Sequence, residues 1–484
     1  MENTQNNARH RSHSVFVQDG KLDLPVLGLF LLINLIVLIN ATLHHPKIGY
    51  DATSHITYIQ VLFDRLPDIQ DTSEYFSPPL PYALPALFDK ACETLLNDHE
   101  HFPLLEGSYY IFECRFADAK FAQYLNVFLS IGILYFVLSI CEYLKPGNRA
   151  YKISVMALFS LLTVYYKTFS QVRGEPYIAF FTVVSAYLLL KLANEEKGLR
   201  KNVIFLGLSL GALILSRQWG FFLFPAIVFS GIWFLFQNRP SALRLIKPIL
   251  VSFVISAFVG GWFYLHLYLQ NGTVTAFNIK ENEPLSMNQF WSSLRRTHIQ
   301  DFEIFKQPIR ENFQGDMLPT FYSETWGDYW GYFSYVKENS TFGDQGLDNA
   351  KEIAPYLGRV NLFSVIPTLI LGLGWISSAI QLFNFKKPVP IDRLGSGLLF
   401  FIITTSAIGY IVFLINYYAA SEPTLKATYM IQAFMLIVFL GGDFLEKVRA
   451  RFPRIYVLAL ALLGIVFLHN LPAFITRYIS FPWS

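Results

Sequence analysis

Long apolar runs separated by polar segments dominate the chain. Leu24–Leu43 contains twenty residues without a charge, and 121–141, 218–238, 360–385 and 394–421 are charge-free as well. About 20 apolar residues are enough to cross the hydrocarbon core of a bilayer. The pattern therefore predicts a polytopic membrane protein.

Hydropathy along the chain predicts eleven spans, and several of them have short charge-free lengths. Leu24–Leu43 is longer than a signal-peptide core and further spans follow it, so we interpret it as an uncleaved first helix. The expected fold class is an all-α polytopic membrane protein with about 11 transmembrane helices and two structured outer loops. The spans are predicted near 24–43, 121–141, 151–168, 176–194, 202–216, 218–237, 248–269, 360–383, 394–417, 427–443 and 455–475.

The overall composition agrees with this interpretation. Of 484 residues, 53% are hydrophobic and 15% are charged, whereas soluble domains carry about 25% charged residues. A soluble enzyme, a nucleic-acid-binding domain and a disulfide-stapled secreted module are thereby excluded. Cys92 and Cys114 share a polar segment and can pair if it faces an oxidising compartment. The alternative is that both are ordinary buried thiols.

Basic residues are distributed unevenly between the polar connections. If the N-terminus is cytoplasmic and the spans alternate, twenty of the 38 Lys and Arg residues fall in six short cytoplasmic segments. The short outer connections contain only Lys167, Arg173, Arg217 and Lys426. This positive-inside asymmetry predicts an odd number of spans and a C-terminus outside. We therefore expect a multi-pass membrane protein with a cytoplasmic N-terminus. A bacterial plasma membrane is the favoured location, although the sequence does not fix the cell type.

Two polar segments are too long to be simple connectors. Residues 44–120 and 270–359 both lie outside in this topology, and their Pro and aromatic residues favour folded loops with short helices. We assign a catalytic role to the first and a role as substrate lid or acceptor-recognition surface to the second, both within one transmembrane domain, 22–484. Residues 1–21 are predicted to be a disordered cytoplasmic tail.

Asp51 follows the first span closely and precedes apolar residues at helical spacing, so it stands at a predicted helix start. Two interpretations of its carboxylate stay open. It can cap the helix N-terminus, beside the positive end of the helix dipole. Alternatively, it is a general base at the membrane surface.

Three outer-edge cations, Arg173, Arg217 and Lys426, run against the charge asymmetry. Each lies at the edge of the membrane, where an unpaired cation is costly. A structural partner such as Glu175 explains Arg173 alone. A phosphorylated lipid headgroup held by several cations explains all three together.

Several short motifs follow one another along the chain: Asp51 after the first span, Pro78-Pro79-Leu80-x-Tyr82, Arg173-x-Glu175, Arg217 before the sixth span, and Lys426-x-x-Tyr429. This order resembles the GT-C superfamily of polyprenyl-phosphate-sugar glycosyltransferases, in the branch of protein O-mannosyltransferases and lipid A aminoarabinose transferase. The resemblance covers about residues 22–443. Each motif is short, and only their combined order is specific.

The resemblance implies a role for each matching acidic residue. Asp51 stands where the family usually has its catalytic base. Many relatives have a second carboxylate directly after it, and here that place is Ala52. Asp51 therefore acts alone, or Glu74 or Glu175 is the second acid.

The matching basic residues correspond to contacts with the donor phosphate, namely Arg173, Arg217 and Lys426.

Rings that flank carboxylates suit sugar recognition, because a ring stacks on the apolar face of a pyranose, and they suit an interfacial lid equally well. No metal site is predicted, since His99-Glu100-His101 lacks complete ligand geometry. The candidates for substrate recognition are His55, Tyr82, Trp326, Asp328 and Trp330.

The function implied by the resemblance is an inverting GT-C glycosyltransferase, a hexosyl- or pentosyltransferase. It would move a sugar from a polyprenyl-phosphate donor to a lipid, glycan or protein acceptor on the outer face, among membrane lipids and without nucleic acid. No cofactor is required, and a divalent cation stays open.

The competing function is a transporter or flippase for an anionic lipid-linked substrate. Transporters usually place polar residues near the midplane and often show repeats, whereas the charges here gather at one edge and no repeat is visible. A third alternative, a non-catalytic structural subunit, would need no cation cluster.

Overall fold

The computed structural model describes residues 15–18, 20–96, 114–194, 198–275, 302–310, 317–335, 344–384, 394–417 and 425–476. Within these ranges a small antiparallel hairpin, β1 (Val17–Gln18) and β2 (Lys21–Leu22), precedes a series of helices. The α-helices are α1 (Leu24–Leu43), α2 (Ala52–Leu62), α3 (Leu80–Leu96), α4 (Cys114–Leu144), α5 (Arg149–Ser160), α6 (Thr163–Ser170), α7 (Glu175–Asn194), α8 (Leu199–Ile214), α9 (Leu223–Gln237), α10 (Arg239–Asn271), α11 (Met317–Trp326), α12 (Asp344–Phe363), α13 (Val365–Leu382), α14 (Leu394–Tyr417), α15 (Ile431–Arg451) and α16 (Pro453–Asn470). Short 3₁₀ helices occupy Gln218–Phe222, Glu303–Phe305, Ala427–Met430 and Leu471–Phe474.

Most predicted spans correspond to one continuous helical segment. In the described part of the chain, nine such segments are long and apolar enough to cross a membrane. The predicted third span is instead a bent pair, α5 and α6, which meet at 60°. At the break the hydroxyl of Tyr166 donates to the carbonyl of Ser160 at 2.9 Å, which satisfies a backbone group that the bend exposes. The all-α polytopic architecture is confirmed.

The predicted fifth span corresponds to α8, which is a short helix. Its 16 residues rise about 24 Å, less than the roughly 30 Å of a hydrocarbon core. It packs closely on α10, and two glycines leave no room for a side chain at the contact. A Cβ atom at Gly207 would lie only 2.6 Å from Ile255, and one at Gly211 only 2.5 Å from Val259. Stripes of small residues allow this close approach between membrane helices.

Segments that the charge pattern assigns to one side lie together at one end of the bundle. Arg149 at the start of α5 pairs with Asp23 before α1 at 3.1 Å. Lys145 after α4 pairs with Asp443 near the end of α15 at 3.0 Å. The described parts of the two long polar segments meet each other at the opposite end, so the alternation of these spans agrees with the predicted one.

Both long polar segments are folded where they are described. The first, 44–120, contains α2 and α3, and the second, 270–359, contains α11 and much of α12. Short helices in these segments were predicted. Of the predicted tail, 1–14 lies outside the described residues, and the hairpin begins at Val17.

The cysteines differ in state. Cys92 on α3 is disulfide-bonded, whereas Cys141 on α4 is a buried free thiol. The side chain of Cys114 lies outside the described residues, and so does His99-Glu100-His101.

A buried lysine fixes the start of the first polar segment. Lys120 on α4 donates through Nζ to the carbonyl oxygens of Ala41, Thr42 and His44 at 3.0, 3.1 and 2.7 Å. A helix leaves its last carbonyl groups without partners of its own. The ammonium group thereby caps α1 and holds the chain as it leaves the bundle toward Asp51.

Candidate active site

Asp51 adopts a left-handed backbone conformation directly before α2. Its φ of 55° and ψ of 23° are uncommon for a residue with a Cβ atom, although Asp tolerates them better than most residues. It occupies the N-cap position, but within the described structure its side chain makes no capping hydrogen bond. The carboxylate is turned toward Lys426 instead.

Asp51 and Lys426 form an ion pair, which we call the site pair. Lys426 Nζ donates to Asp51 Oδ2 at 2.7 Å, and the Asp51 side chain is 39% exposed. Burial acts to raise the pKa of Asp51, but the charge and hydrogen bond of Lys426 outweigh it and hold this pKa below its usual range. Asp51 is therefore an ionised, partly exposed carboxylate.

Behind the site pair, arginine and glutamate side chains form a buried network. Arg173 donates twice to Glu175, at 2.6 and 2.8 Å. Arg217 donates to Glu175 at 3.2 Å and to Glu74 at 2.8 Å, and the Ser77 hydroxyl bonds to both Arg217 and Glu74. All four charged side chains are buried. Two cations and two carboxylates balance one another here.

The predicted site residues of the first polar segment and of the membrane edge are thus brought together. Glu74 and Glu175, the candidate second acids, are ion-pair partners of the outer-edge arginines. Burial acts to raise the pKa of Glu74, but Arg217 outweighs it and lowers this pKa. The two glutamates therefore compensate the cations whose cost at the membrane edge the sequence had indicated.

Two buried polar atoms of the cluster have no hydrogen-bond partner among the described residues: Nη1 of Arg173 and Nε2 of His55. The other ring nitrogen of His55 lies 2.8 Å from the hydroxyl of Tyr82. Burial lowers the pKa of His55 to about 4, so its ring is neutral near pH 7. An unpaired buried polar group costs about 1–3 kcal/mol, and a bound ligand can supply the missing partner.

Two tyrosine rings, to which the sequence assigned no role, lie against the same two cations. The Tyr50 ring centre is 5.2 Å from the Arg173 guanidinium and 5.0 Å from Lys426 Nζ. The Tyr429 ring centre is 5.9 and 5.8 Å from the same groups. Cations at these distances are attracted by the ring quadrupole. Tyr50 directly precedes Asp51, and Tyr429 belongs to the Lys426-x-x-Tyr429 motif, so both positions gave a signal in the sequence.

The recognition residues predicted in the second polar segment lie inside the protein. Trp326 packs in the main hydrophobic core. Asp328 accepts hydrogen bonds from the backbone of Phe333 and from Ser334, which shapes a turn. Trp330 is buried and donates through Nε1 to a backbone carbonyl at 3.0 Å. In this structure the three side chains support the segment and do not line an open face.

A buried carboxylate next to Tyr50 was missed by the sequence analysis. Oε1 of Glu324 accepts hydrogen bonds from the Tyr50 hydroxyl and from Lys167 Nζ, the latter at 2.8 Å. Burial raises the pKa of Glu324, with Lys167 opposing the rise. Lys167 lies on α6, in the broken third span, so a cation next to a helix break was the signal that could have pointed to this pair.

The chemistry that the site offers is carried by its own side chains. One ionised carboxylate is accessible, one ammonium is paired with it, and one guanidinium behind them keeps an unused N–H group. Within the described ranges, no three His, Cys, Asp or Glu side chains are grouped to hold a metal ion.

Comparisons with known proteins give similarity at the level of structure alone. No protein-family model matches the chain, and no curated protein matches it. The structure is similar to that of the Archaeoglobus fulgidus oligosaccharyltransferase in complex with zinc and sulfate, with a TM-score of 0.49 and 12% identity over 93% of this chain and 53% of that chain. It is also similar to ArnT from Cupriavidus metallidurans in the apo state (TM-score 0.37, 13% identity, 92% of this chain and 77% of that chain). A second ArnT structure from the same organism, bound to undecaprenyl phosphate, has a TM-score of 0.36 and 11% identity over 92% of this chain and 78% of that chain. The chain spans about half the length of the oligosaccharyltransferase that it matches.

Proposed function

We propose that this protein is an integral-membrane glycosyltransferase that moves a sugar from a polyprenyl-phosphate donor to an acceptor at the outer face of the membrane. The observation that carries the proposal is the site pair. An accessible carboxylate lies 2.7 Å from an ammonium group, and a guanidinium with an unused N–H group stands behind them. A base beside fixed cations is what the departure of a phosphate from a sugar requires.

In the proposed mechanism the donor phosphate binds to Lys426 and to the free Nη1 of Arg173. A phosphate on Lys426 competes with Asp51 for the ammonium group, so the pKa of Asp51 rises from its lowered value and the carboxylate becomes a better base. Donor binding thereby prepares the base. The energetic cost of the unpaired Arg173 N–H group is relieved in the same step.

The transfer itself is one displacement at the anomeric carbon. The acceptor hydroxyl oxygen attacks that carbon and gives its proton to Asp51, while the bond to the phosphate oxygen breaks and the lipid phosphate leaves with the electron pair. The cations are held in place by the glutamates and need little reorganisation as negative charge develops on the leaving group. One displacement inverts the anomeric configuration. Glu74 and Glu175 are buried and bonded to arginine, so we assign the base to Asp51.

The direct test is a transfer assay with purified protein and a radiolabelled polyprenyl-phosphate sugar. We expect the label to move from the lipid to an added acceptor, with inverted anomeric configuration. Movement of the intact labelled lipid across vesicle membranes without any sugar transfer would contradict the proposal and favour the flippase alternative.

A second prediction concerns the cations that hold the donor. Arg173→Ala and Lys426→Ala are each expected to weaken binding of polyprenyl phosphate about ten- to a hundredfold, because a charge-assisted contact contributes about 1.5–3 kcal/mol. Arg217→Ala is expected to weaken binding too and to lower stability, since its donors bond Glu74, Ser77 and Glu175.

Binding is measured with labelled polyprenyl phosphate on purified, monodisperse variants. The control is Lys306→Ala, because this lysine is 63% exposed and pairs only loosely with Glu303 at 3.5 Å. Unchanged affinity in the Arg173 and Lys426 variants would mean that these cations serve structure alone.

We further propose that the end of the bundle with the site faces the outside of a plasma membrane, with the N-terminus in the cytoplasm. The positive-inside asymmetry supports this orientation. The disulfide bond of Cys92, in the first polar segment, supports it independently, because disulfides persist in oxidising compartments.

Reporter fusions test this orientation. Fusions within 44–120 and 270–359, and after Ser484, are expected to report an outside location, and fusions at 145–149 and at 447–451 a cytoplasmic one. A cytoplasmic signal from either long segment would overturn the orientation and the outer-face site with it.

A further inference from the structure

The second polar segment contacts the residues that immediately precede each member of the site pair. Glu324 accepts the hydroxyl hydrogen bond of Tyr50, the residue before Asp51. Trp330 donates from its indole Nε1 to the carbonyl of Leu425, the residue before Lys426, at 3.0 Å. These contacts join residues that are 274 and 95 positions apart. One short stretch, 324–330, therefore touches both sides of the pair.

This stretch is itself fixed in place. Lys167 Nζ donates to the Glu324 carboxylate at 2.8 Å and to its backbone carbonyl at 2.5 Å. The backbone N–H of Trp330 donates to the second carboxylate oxygen of Glu324 at 3.4 Å. Gly331 adopts a φ of 75°, a left-handed conformation that glycine accepts without strain, and Asp328 bonds the backbone beyond it. The stretch is a closed, hydrogen-bonded turn anchored to α6.

Tyr50 transmits this anchoring to the charged groups. Its ring is buried, packs edge-on against Trp330 and Tyr332 at centroid distances of 6.5 and 5.0 Å, and lies against Lys426 and Arg173. A phenol that donates to a carboxylate gains electron density in its ring, which strengthens its attraction for a cation. The Glu324 bond therefore fixes the Tyr50 ring and favours the cations on its face.

We propose that Glu324 and Trp330 are positioning residues that set the separation and orientation of the site pair through Tyr50 and Leu425. The stretch 324–330 acts as a clamp on the pair. This role differs from the sugar recognition that the sequence assigned to Trp330. The effect of the clamp on turnover rests on the proposed function, whereas the placement of the site pair is a property of the resting protein.

The activity-independent test measures how fast Lys426 is acylated by a limiting amine-reactive reagent, read by peptide mass spectrometry against the exposed Lys306. A lysine that loses its carboxylate partner carries a lower pKa, and each half unit exposes about three times more free amine. The acylation rate of Lys426 in the Asp51→Asn variant is the reference value for a protein that lacks the ion pair. Tyr50→Phe deletes one hydrogen bond and keeps the ring, and Trp330→Phe deletes one hydrogen bond and leaves a smaller aromatic ring. Each is expected to raise the rate by at least about threefold.

The matched control is Tyr166→Phe, which deletes an equally buried hydroxyl that bonds Ser160 at 2.9 Å, next to Lys167 in the chain. It is expected to leave the acylation rate of Lys426 unchanged. Glu324→Gln is a further variant. If the Glu324→Gln protein does not fold, the test is decided by Tyr50→Phe and Trp330→Phe. Rates for Tyr50→Phe and Trp330→Phe equal to the wild-type rate would overturn the clamp, and so would an unchanged rate in Asp51→Asn.

The kinetic arm uses the transfer assay. Because a displacement of about 1 Å in a reacting group costs up to about a hundredfold in rate, Tyr50→Phe and Trp330→Phe are expected to lower kcat about ten- to a hundredfold with little change in donor KM. A rise in KM with kcat unchanged would contradict positioning and indicate direct substrate recognition. If the wild-type protein transfers no sugar, the proposed function fails, and the acylation arm still decides the clamp.

Discussion

Asp51→Asn is expected to lower the turnover of sugar transfer at least about 100-fold, a typical contribution of a general base. The substitution keeps the size of the side chain and removes its basicity. In the structure the Asp51 side chain bonds Lys426 and makes no capping bond to the described α2, so loss of a cap does not explain a defect. The accessible position of the carboxylate leaves room for an acceptor hydroxyl.

Donor binding separates a catalytic defect from a folding defect. In Asp51→Asn the ammonium group of Lys426 loses its carboxylate partner, so its affinity for a phosphate is expected to be retained or increased. Turnover falls while binding does not, a combination that a misfolded protein cannot give. The measurements are single-turnover transfer and binding of labelled polyprenyl phosphate.

The matched control is Asp71→Asn, because Asp71 also lies in the first polar segment and pairs with an arginine, at 2.6 Å, but this partner, Arg65, is 54% exposed. This variant is expected to retain full turnover. Near-normal turnover in Asp51→Asn would discard the mechanism and return Glu74 or Glu175 as candidate bases.

Glu175→Gln is expected to produce the largest loss of stability, about 3–5 kcal/mol in the free energy of unfolding. Glu175 accepts hydrogen bonds from both Arg173 and Arg217, and all three side chains are buried. An amide cannot compensate two buried guanidinium charges. The removal of one partner leaves the others desolvated and unpaired, which is costlier than never having formed the pair.

The comparison variant is Glu303→Gln, whose partner Lys306 is 63% exposed. Exposed ion pairs contribute about 0–1 kcal/mol, since water solvates both charges well. Thermal and denaturant unfolding in detergent micelles give both values. A loss in Glu175→Gln as small as that in Glu303→Gln would show that the arginines find other partners or water, and the view of the network as a closed set of charges would be wrong.

The second polar segment contains three predicted recognition residues that lie inside the protein. Carboxylates flanked by aromatic rings predicted a sugar-binding surface around Trp326, Asp328 and Trp330. The structure buries these side chains because each has a partner within the protein: the hydrophobic core, a turn, and a backbone carbonyl. An internal hydrogen-bonded turn and an open recognition face can contain the same residue types, so the residue types alone do not distinguish them.

Sequence alone determined the membrane architecture and the residues that gather at the site. Hydropathy is local, since a run of apolar side chains prefers lipid whatever its neighbours are. The same holds for lysine and arginine beside the spans, which is why the charge pattern predicted Arg173, Arg217 and Lys426 at one end of the bundle. Asp51 was expected at the same end because it closely follows the first span. The bend between α5 and α6 departs from the prediction because a helix break depends on packing, which is not local in sequence.

Only the tertiary structure decided which charge meets which. Asp51 pairs with a lysine 375 positions later, and Arg217 pairs with Glu74 across 143 positions. Such an ion pair forms only where the folded chain brings two distant segments together, and its geometry is set by many contacts between residues remote in sequence. For this reason the ion pairs of Asp51 and of the outer-edge cations, and the contacts of Glu324 and Trp330, could be identified only in the folded chain.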